Sequence, residues 1–254
     1  MTPPDAATIV LFDIDGTLLW SDGAGRRAIQ AALVEVFGGI GPADHRFDGK
    51  TDRQIVRELM TVEGHDRDVI DERMDRVLDR YVAELHSALR DPAHPPQRLP
   101  GVAELLDALE ARSDVVLGLL TGNVAPGADA KLRAVGIDPT RFRVSAFGSD
   151  HEHRPELPAI ARARAESLLG YPVGGERFVV VGDTPADMTC GRGIGARAIG
   201  VATGRYAVRE LLSHGADAAF PDLTDTSAVV AAIVAASSAA SRGASRNRAP
   251  VSER

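Results

Sequence analysis

Asp13 and Asp15 are separated by one residue and directly follow the apolar run at 9–12. In an extended segment, residues two apart project to the same face. Both carboxylates would then share a small volume, where they must either share a proton or hold a cation between them. Gly16 lets the chain turn sharply and approach a ligand closely, and Thr17 completes a D-x-D-G-T element. A second element, Thr121-Gly122-Asn123, follows the apolar run at 115–120. A threonine hydroxyl and free backbone N–H groups at a helix start can bind phosphate oxygens. The same residues also make an ordinary N-cap and turn. A third element, Gly182-Asp183-Thr184-Pro185-Ala186-Asp187, follows the run at 178–181. Mg2+ takes hard oxygen ligands and keeps several waters, so Asp13, the Asp15 backbone carbonyl and Asp183 would suffice to hold it. Asp187 would act through a water or as an acceptor behind the ligands. Pro185 suits a first helical turn, so Asp183 also reads as a residue of an ordinary helix-capping region.

These three elements need strands to carry them. The runs at 9–12, 115–120, 178–181 and 198–201, with a weaker one at 142–147, are continuous rather than alternating, as in parallel strands covered on both faces. Helical patterns lie between them, at 102–109, at 128–135 before Gly136 and at 156–169 before Gly170. The alternation predicts an α/β fold with a doubly wound parallel sheet. Residues 24–90 break it with three helical stripes, around Ala28–Phe37, Ile55–Met60 and Ile70–Leu89, and no strand signal between them. They read as an all-helical insert at 23–95, leaving 1–22 and 96–236 as the core. The insert ends in a stiff proline-rich connector. Residues 237–254 are Ser, Ala, Arg and Asn without apolar periodicity and read as a disordered tail.

Composition narrows the setting. With 254 residues, the chain has room for one α/β domain and a smaller inserted one. The formal net charge of −7 gives no basic excess of the kind nucleic-acid binders carry, so any anion site must be built locally. A single cysteine, Cys190, rules out a disulfide within the chain and reads as a small packed residue. Neither a signal peptide nor a membrane span is evident, and a cytoplasmic location is the expectation. Lysine occurs only at Lys50 and Lys131. Lys131, in the middle of a helix, reads as a surface residue. Lys50, in the loop Phe47–Asp52, reads either as a contact to a substrate anion or as a solvated charge beside a helix start. His151 and His153 receive no role.

Taken together, D-x-D-G-T, T-G-N and G-D-x-x-x-D, in this order at the ends of three strands, resemble the haloacid dehalogenase-like superfamily, in its phosphoglycolate-phosphatase-like branch. The resemblance spans roughly residues 8–235 and implies a Rossmann-like core with a helical cap inserted after the first strand. It implies that Asp13 attacks phosphorus to form an aspartyl-phosphate and that Asp15 is the acid/base partner. It also implies that Thr121 holds the phosphoryl group and that Asp183 helps to bind Mg2+. Gly16, Thr17, Gly122, Asn123 and Lys50 would contact substrate. The family pattern has a lysine before a proline ahead of the fourth strand; here Arg154-Pro155 stands there. Arginine keeps the charge with a different, bidentate geometry, and Arg154 is expected to be the phosphate-stabilising cation.

The implied activity is hydrolysis of a small phosphorylated metabolite, by a monomer or a homodimer. A phosphomutase of the same branch is the alternative, separated by whether phosphate is released. A dehalogenase ranks low because a halide leaves without protonation and would not need Asp15. A non-catalytic interaction protein on the same scaffold ranks low because neither Asp13 nor Asp183 is lost.

Overall fold

The computed structural model describes residues 7–244, with side chains described as far as residue 235. The core strands are β1 (Thr8–Phe12), β4 (Val115–Thr121), β5 (Val144–Phe147), β6 (Phe178–Gly182), β7 (Arg197–Val201) and β8 (Ala218–Phe220). They form one parallel sheet in the order β5-β4-β1-β6-β7-β8. The chain winds outward through β4 to β5 and then returns to the other side of β1, so the order reverses around β1. Open α/β sheets bind ligands beyond the strand ends at such a switch point.

Burial fixes β1 at the centre. Ile9, Val10, Leu11 and Phe12 have no exposed surface, and burying each such side chain stabilises the fold by about 1.5–3 kcal/mol. Alternate residues face opposite layers. Val10 and Phe12 pack with Leu105 and Leu109 of α4 (Val102–Glu110) and Val229 and Ile233 of α9 (Thr226–Ala244). Ile9 and Leu11 pack with Leu157, Ala161 and Ala165 of α6 (Leu157–Leu169). Neighbouring strands are in register at the functional end, with Phe12 opposite both Leu119 and Val181. The segments following β1, β4 and β6 therefore emerge side by side.

The inserted helices are α1 (Ala24–Phe37), α2 (Asp52–Val62) and α3 (Arg67–Ala88). Leu33, Val56, Leu59, Ile70, Val77 and Leu85 form their own core, which extends to Val124 and to Ala130 of α5 (Ala125–Ala134). The cap thus rests on the helix that follows the T-G-N turn. A two-residue antiparallel ribbon, β2 (Leu19–Trp20) with β3 (Gln97–Arg98), joins the two crossings between core and cap.

Two expectations change. β8 was not legible in the sequence, because its three residues, Ala218-Ala219-Phe220, form a half-buried edge strand too short for a periodic signal. The tail expected from residue 237 overlaps α9, which stays helical to Ala244. Its alanines favour helix without needing an apolar stripe; residues 245–254 lie outside the described residues. Among the described residues, no helix is long and apolar enough to cross a membrane.

Candidate active site

Asp13 follows β1, and its backbone N–H donates to Val181 O at 2.9 Å, extending the β1–β6 ladder by one residue. That places its carboxylate beside those of Asp183 and Asp187, with ligand-capable oxygens of all three within 4.8 Å of one another. All three residues are buried. Burial pushes the Asp13 carboxyl up to about 6; the Arg154 charge opposes this, and the Asp187 and Asp15 charges add to it. Burial, then the Asp187 and Asp13 charges, hold Asp183 well above the ordinary carboxylate range. Two acids raised first by burial and further by neighbouring carboxylates form a site short of positive charge, which a hard divalent cation would supply. Asp13 and Asp183 fit that ion.

Asp187 is otherwise engaged. One of its oxygens accepts from Arg154 Nη2, while the other accepts the Thr184 N–H at 3.0 Å and the Thr184 hydroxyl at 2.7 Å. With Thr184 it forms the capping box of α7 (Pro185–Cys190). Its observed contacts are thus those of an acceptor holding Arg154, not of an open ligand.

Arg154 is buried, donates to Leu120 O at 3.2 Å and lies 3.4 Å from Asp13 Oδ2. The expected cation is therefore beside the expected nucleophile. Its Nε has no partner although it is buried, and the residue lines the cavity above the strand ends.

A second charged cluster corrects the reading of Lys131. Rather than facing solvent, Lys131 is buried under the cap, with Nζ 2.6 Å from Asp15 Oδ2 and 2.6 Å from Asn123 Oδ1. Helix α5 is short and rich in Ala, so the cap can approach it closely and cover this side chain. The Asn123 amide donates to Asp15 Oδ2 at 2.9 Å and to Thr121 Oγ1 at 2.8 Å, tying the T-G-N turn to the second aspartate. Ser21 also donates to Asp15, at 3.3 Å. Burial alone would raise the Asp15 carboxyl; the Lys131 charge and the hydrogen bonds from Lys131, Asn123 and Ser21 outweigh it and hold the group below its usual value.

Two expected substrate contacts already have protein partners. Thr17 is fully buried and absent from the cavity wall; its hydroxyl donates to Asp183 Oδ1 at 3.3 Å, so it positions that acid. Lys50 does line the cavity, but Glu58 Oε2 at 2.5 Å and His45 Nε2 at 3.2 Å already engage its ammonium. Gly16 has φ +80°, and a Cβ there would fall 2.4 Å from Asp183 Oδ2, so its glycine is required by the close approach of that acid. Gly122 and Asn123 line the cavity. His151 and His153 are exposed in a loop outside it.

The cavity measures about 370 Å³, at the small end of ligand pockets. The loop before α2 closes part of it. Asp52 N–H donates to Gly122 O at 2.8 Å, the Asp52 carboxylate accepts Val124 N–H at 2.8 Å, and Thr51 Oγ1 donates to Glu152 O at 2.6 Å. Burial pushes Asp52 up to about 6, against the pull of Lys131. Asp52, Tyr81 and Arg26 are cap residues in the cavity wall that sequence reasoning missed. Each sits on an ordinary amphipathic helix or its boundary, where nothing in the spacing singles it out.

The model of the haloacid dehalogenase-like hydrolases matches residues 10–192 of the sequence. A comparison with curated proteins gave no match. Among solved structures, a hydrolase from Pseudomonas syringae is 23% identical, with a TM-score of 0.65 over 88% of this chain and 97% of its own. A predicted phosphoglycolate phosphatase from Haemophilus somnus 129pt is 20% identical, with a TM-score of 0.64 over 90% and 99%. CbbY from Rhodobacter sphaeroides, solved in complex with phosphate, is 25% identical, with a TM-score of 0.59 over 86% and 96%. With its three strand-end elements gathered at one switch point and most of its length matched, the chain belongs to the haloacid dehalogenase-like hydrolase family.

Proposed function

We propose that this hydrolase is a Mg2+-dependent phosphatase acting on a small phosphorylated metabolite, of the size of phosphoglycolate, through an aspartyl-phosphate. The observation that carries the reading is the meeting of Asp13, Thr121, Asp183 and Arg154 around one small cavity, with the Arg154 Nε–H buried and unpartnered. An unpaired guanidinium N–H beside a carboxylate nucleophile suits a phosphoryl oxygen.

In the first step an Asp13 oxygen forms a bond to phosphorus as the ester P–O bond breaks, and the leaving alkoxide takes a proton from Asp15. Thr121 and the N–H groups after it bind phosphoryl oxygens, and Arg154 stabilises their charge. In the second step Asp15 takes a proton from water, whose oxygen displaces Asp13 and releases phosphate. Mg2+ held by Asp13, Asp183 and the Asp15 backbone carbonyl would neutralise the phosphoryl charge and let the two anions approach. Before substrate arrives, Lys131 keeps Asp15 ionised. An incoming phosphoryl dianion competes for that ammonium and so allows Asp15 to carry the proton that the first step needs.

The test is phosphate release from a panel of phosphorylated metabolites with Mg2+, comparing the native protein with Asp13→Asn. The expected result is release that EDTA stops and that Asp13→Asn lowers by about 10⁴-fold or more. Release undiminished by Asp13→Asn would refute the mechanism. An isomeric phosphoester formed without free phosphate would instead identify a phosphomutase.

A further inference from the structure

The cavity wall contains five cationic side chains, and four of them have a carboxylate close by. Lys50 has Glu58, Lys131 has Asp15, Arg154 has Asp13 and Asp187, and Arg205 has Asp48 at 3.8 Å. Arg26, in the first turn of α1, has no carboxylate partner among the described residues. It is nonetheless held in place. Nη2 donates to His45 O at 2.8 Å, and the guanidinium lies 3.9 Å from the centre of the Phe47 ring. These contacts fix its orientation and leave Nη1 buried with no hydrogen-bond partner. Ile29, one turn further along α1, and Ile55 of α2 also line the cavity and make this part of the wall apolar. Arg26 is thus the one cation of this wall whose charge no carboxylate offsets among the described residues, and low local polarity strengthens the bond such a guanidinium makes with an anion.

We propose that Arg26 selects substrates whose leaving group carries a second anion, a carboxylate or a phosphate. The inference rests on the phosphatase reading for its substrate class and on Arg26 for its selectivity. The phosphoryl group occupies the core end of the cavity, beside Asp13 and Arg154. The second anion meets Arg26 in the cap. The chemistry of recognition is the same for carboxylate and phosphate: negatively charged oxygens accept guanidinium hydrogens. The cap thereby reads the charge of the leaving group, while the core reads only the phosphoryl end.

The test uses three probes of matched length: phosphoglycolate, ethylene glycol bisphosphate and uncharged-ended 2-hydroxyethyl phosphate. kcat/KM is measured on the native protein, Arg26→Met and Arg26→Lys. Kd is measured by calorimetry for the same probes on Asp13→Asn, with and without Arg26→Met. Methionine keeps an unbranched apolar stem against Phe47, and lysine restores the charge without the fork. The native protein is expected to prefer one of the two doubly anionic probes over 2-hydroxyethyl phosphate, and which one it prefers identifies the anion. Arg26→Met is expected to lower that ratio by about 10- to 100-fold, with Arg26→Lys in between. A native protein with no such preference, or a preference that survives Arg26→Met, overturns the proposal. If none of the probes is hydrolysed, the phosphatase reading is what has failed for them. The Kd ratio on Asp13→Asn then still decides the role of Arg26, and equal binding with and without Arg26→Met overturns it.

Discussion

Asp187→Ala separates two roles for the buried acid by the sign of its effect on stability. As a metal ligand alone, Asp187 would do nothing in the metal-free protein except repel Asp13 and Asp183, both of which its charge pushes up. Its removal would then stabilise the apoprotein. As the anchor of Arg154, its removal strands a buried guanidinium. Breaking a buried ion pair by deleting one partner costs about 3–5 kcal/mol. Arg154 keeps Asp13 at 3.4 Å and Leu120 O at 3.2 Å, which favours the lower end of that range. Losing the Thr184–Asp187 capping box adds about 1 kcal/mol. The expected loss is about 4 kcal/mol, a large share of an ordinary domain's stability, or about 8–16 °C in Tm for a chain of this size. Urea and thermal unfolding followed by circular dichroism in EDTA at pH 7 would measure it. Asp187→Asn, which keeps one acceptor for Thr184, is expected to fall between native and Ala. A stabilised or unchanged Asp187→Ala apoprotein would refute the anchoring role.

Two further outcomes follow from the same cluster and its neighbour. Mg2+ at a hundred times its Kd should raise stability by about 2.7 kcal/mol. Thermal melts should show that rise reversed by EDTA and absent in Asp183→Asn; an equal rise in the variant would exclude Asp183 as a ligand. Asp52, at about 6 in the folded protein against an ordinary 3.8, binds more protons folded than unfolded between those values. Its contribution to stability is therefore lost as pH rises, by about 1.4 kcal/mol between pH 5 and pH 8. Asp52→Asn should remove that slope, so urea midpoints of native protein and variant at the two pH values should converge at pH 5 and diverge at pH 8 in favour of the variant. A difference independent of pH would show that Asp52 is not buried as an acid.

Much of the candidate site was legible because its chemistry is local. Asp13, Thr121 and Asp183 each stand just after, or at the end of, a continuous apolar run, and such runs become buried parallel strands whatever lies between them. Arg154 was legible from its place before Pro155. Lys131 was not legible. Its helix, Ala125–Ala134, has small residues on several sides, so no amphipathic stripe marks the buried face. The partner of Thr17 was not legible either, because only the packing of β1 against β6 brings Asp183 to its hydroxyl.

By itself the sequence determined the parallel core, the helical insert and the strand ends that bear acids and a hydroxyl, since hydrophobic period and motif spacing act over a few residues. The tertiary structure decided which charges meet. Lys131 holds Asp15, Asp187 holds Arg154, and Glu58 occupies Lys50, while Arg26, in the cavity wall, is left without a carboxylate partner among the described residues. These pairings join residues from the cap and from separate strands and helices of the core. Distance and burial set them, and neither is fixed until the elements of the core and of the cap have packed.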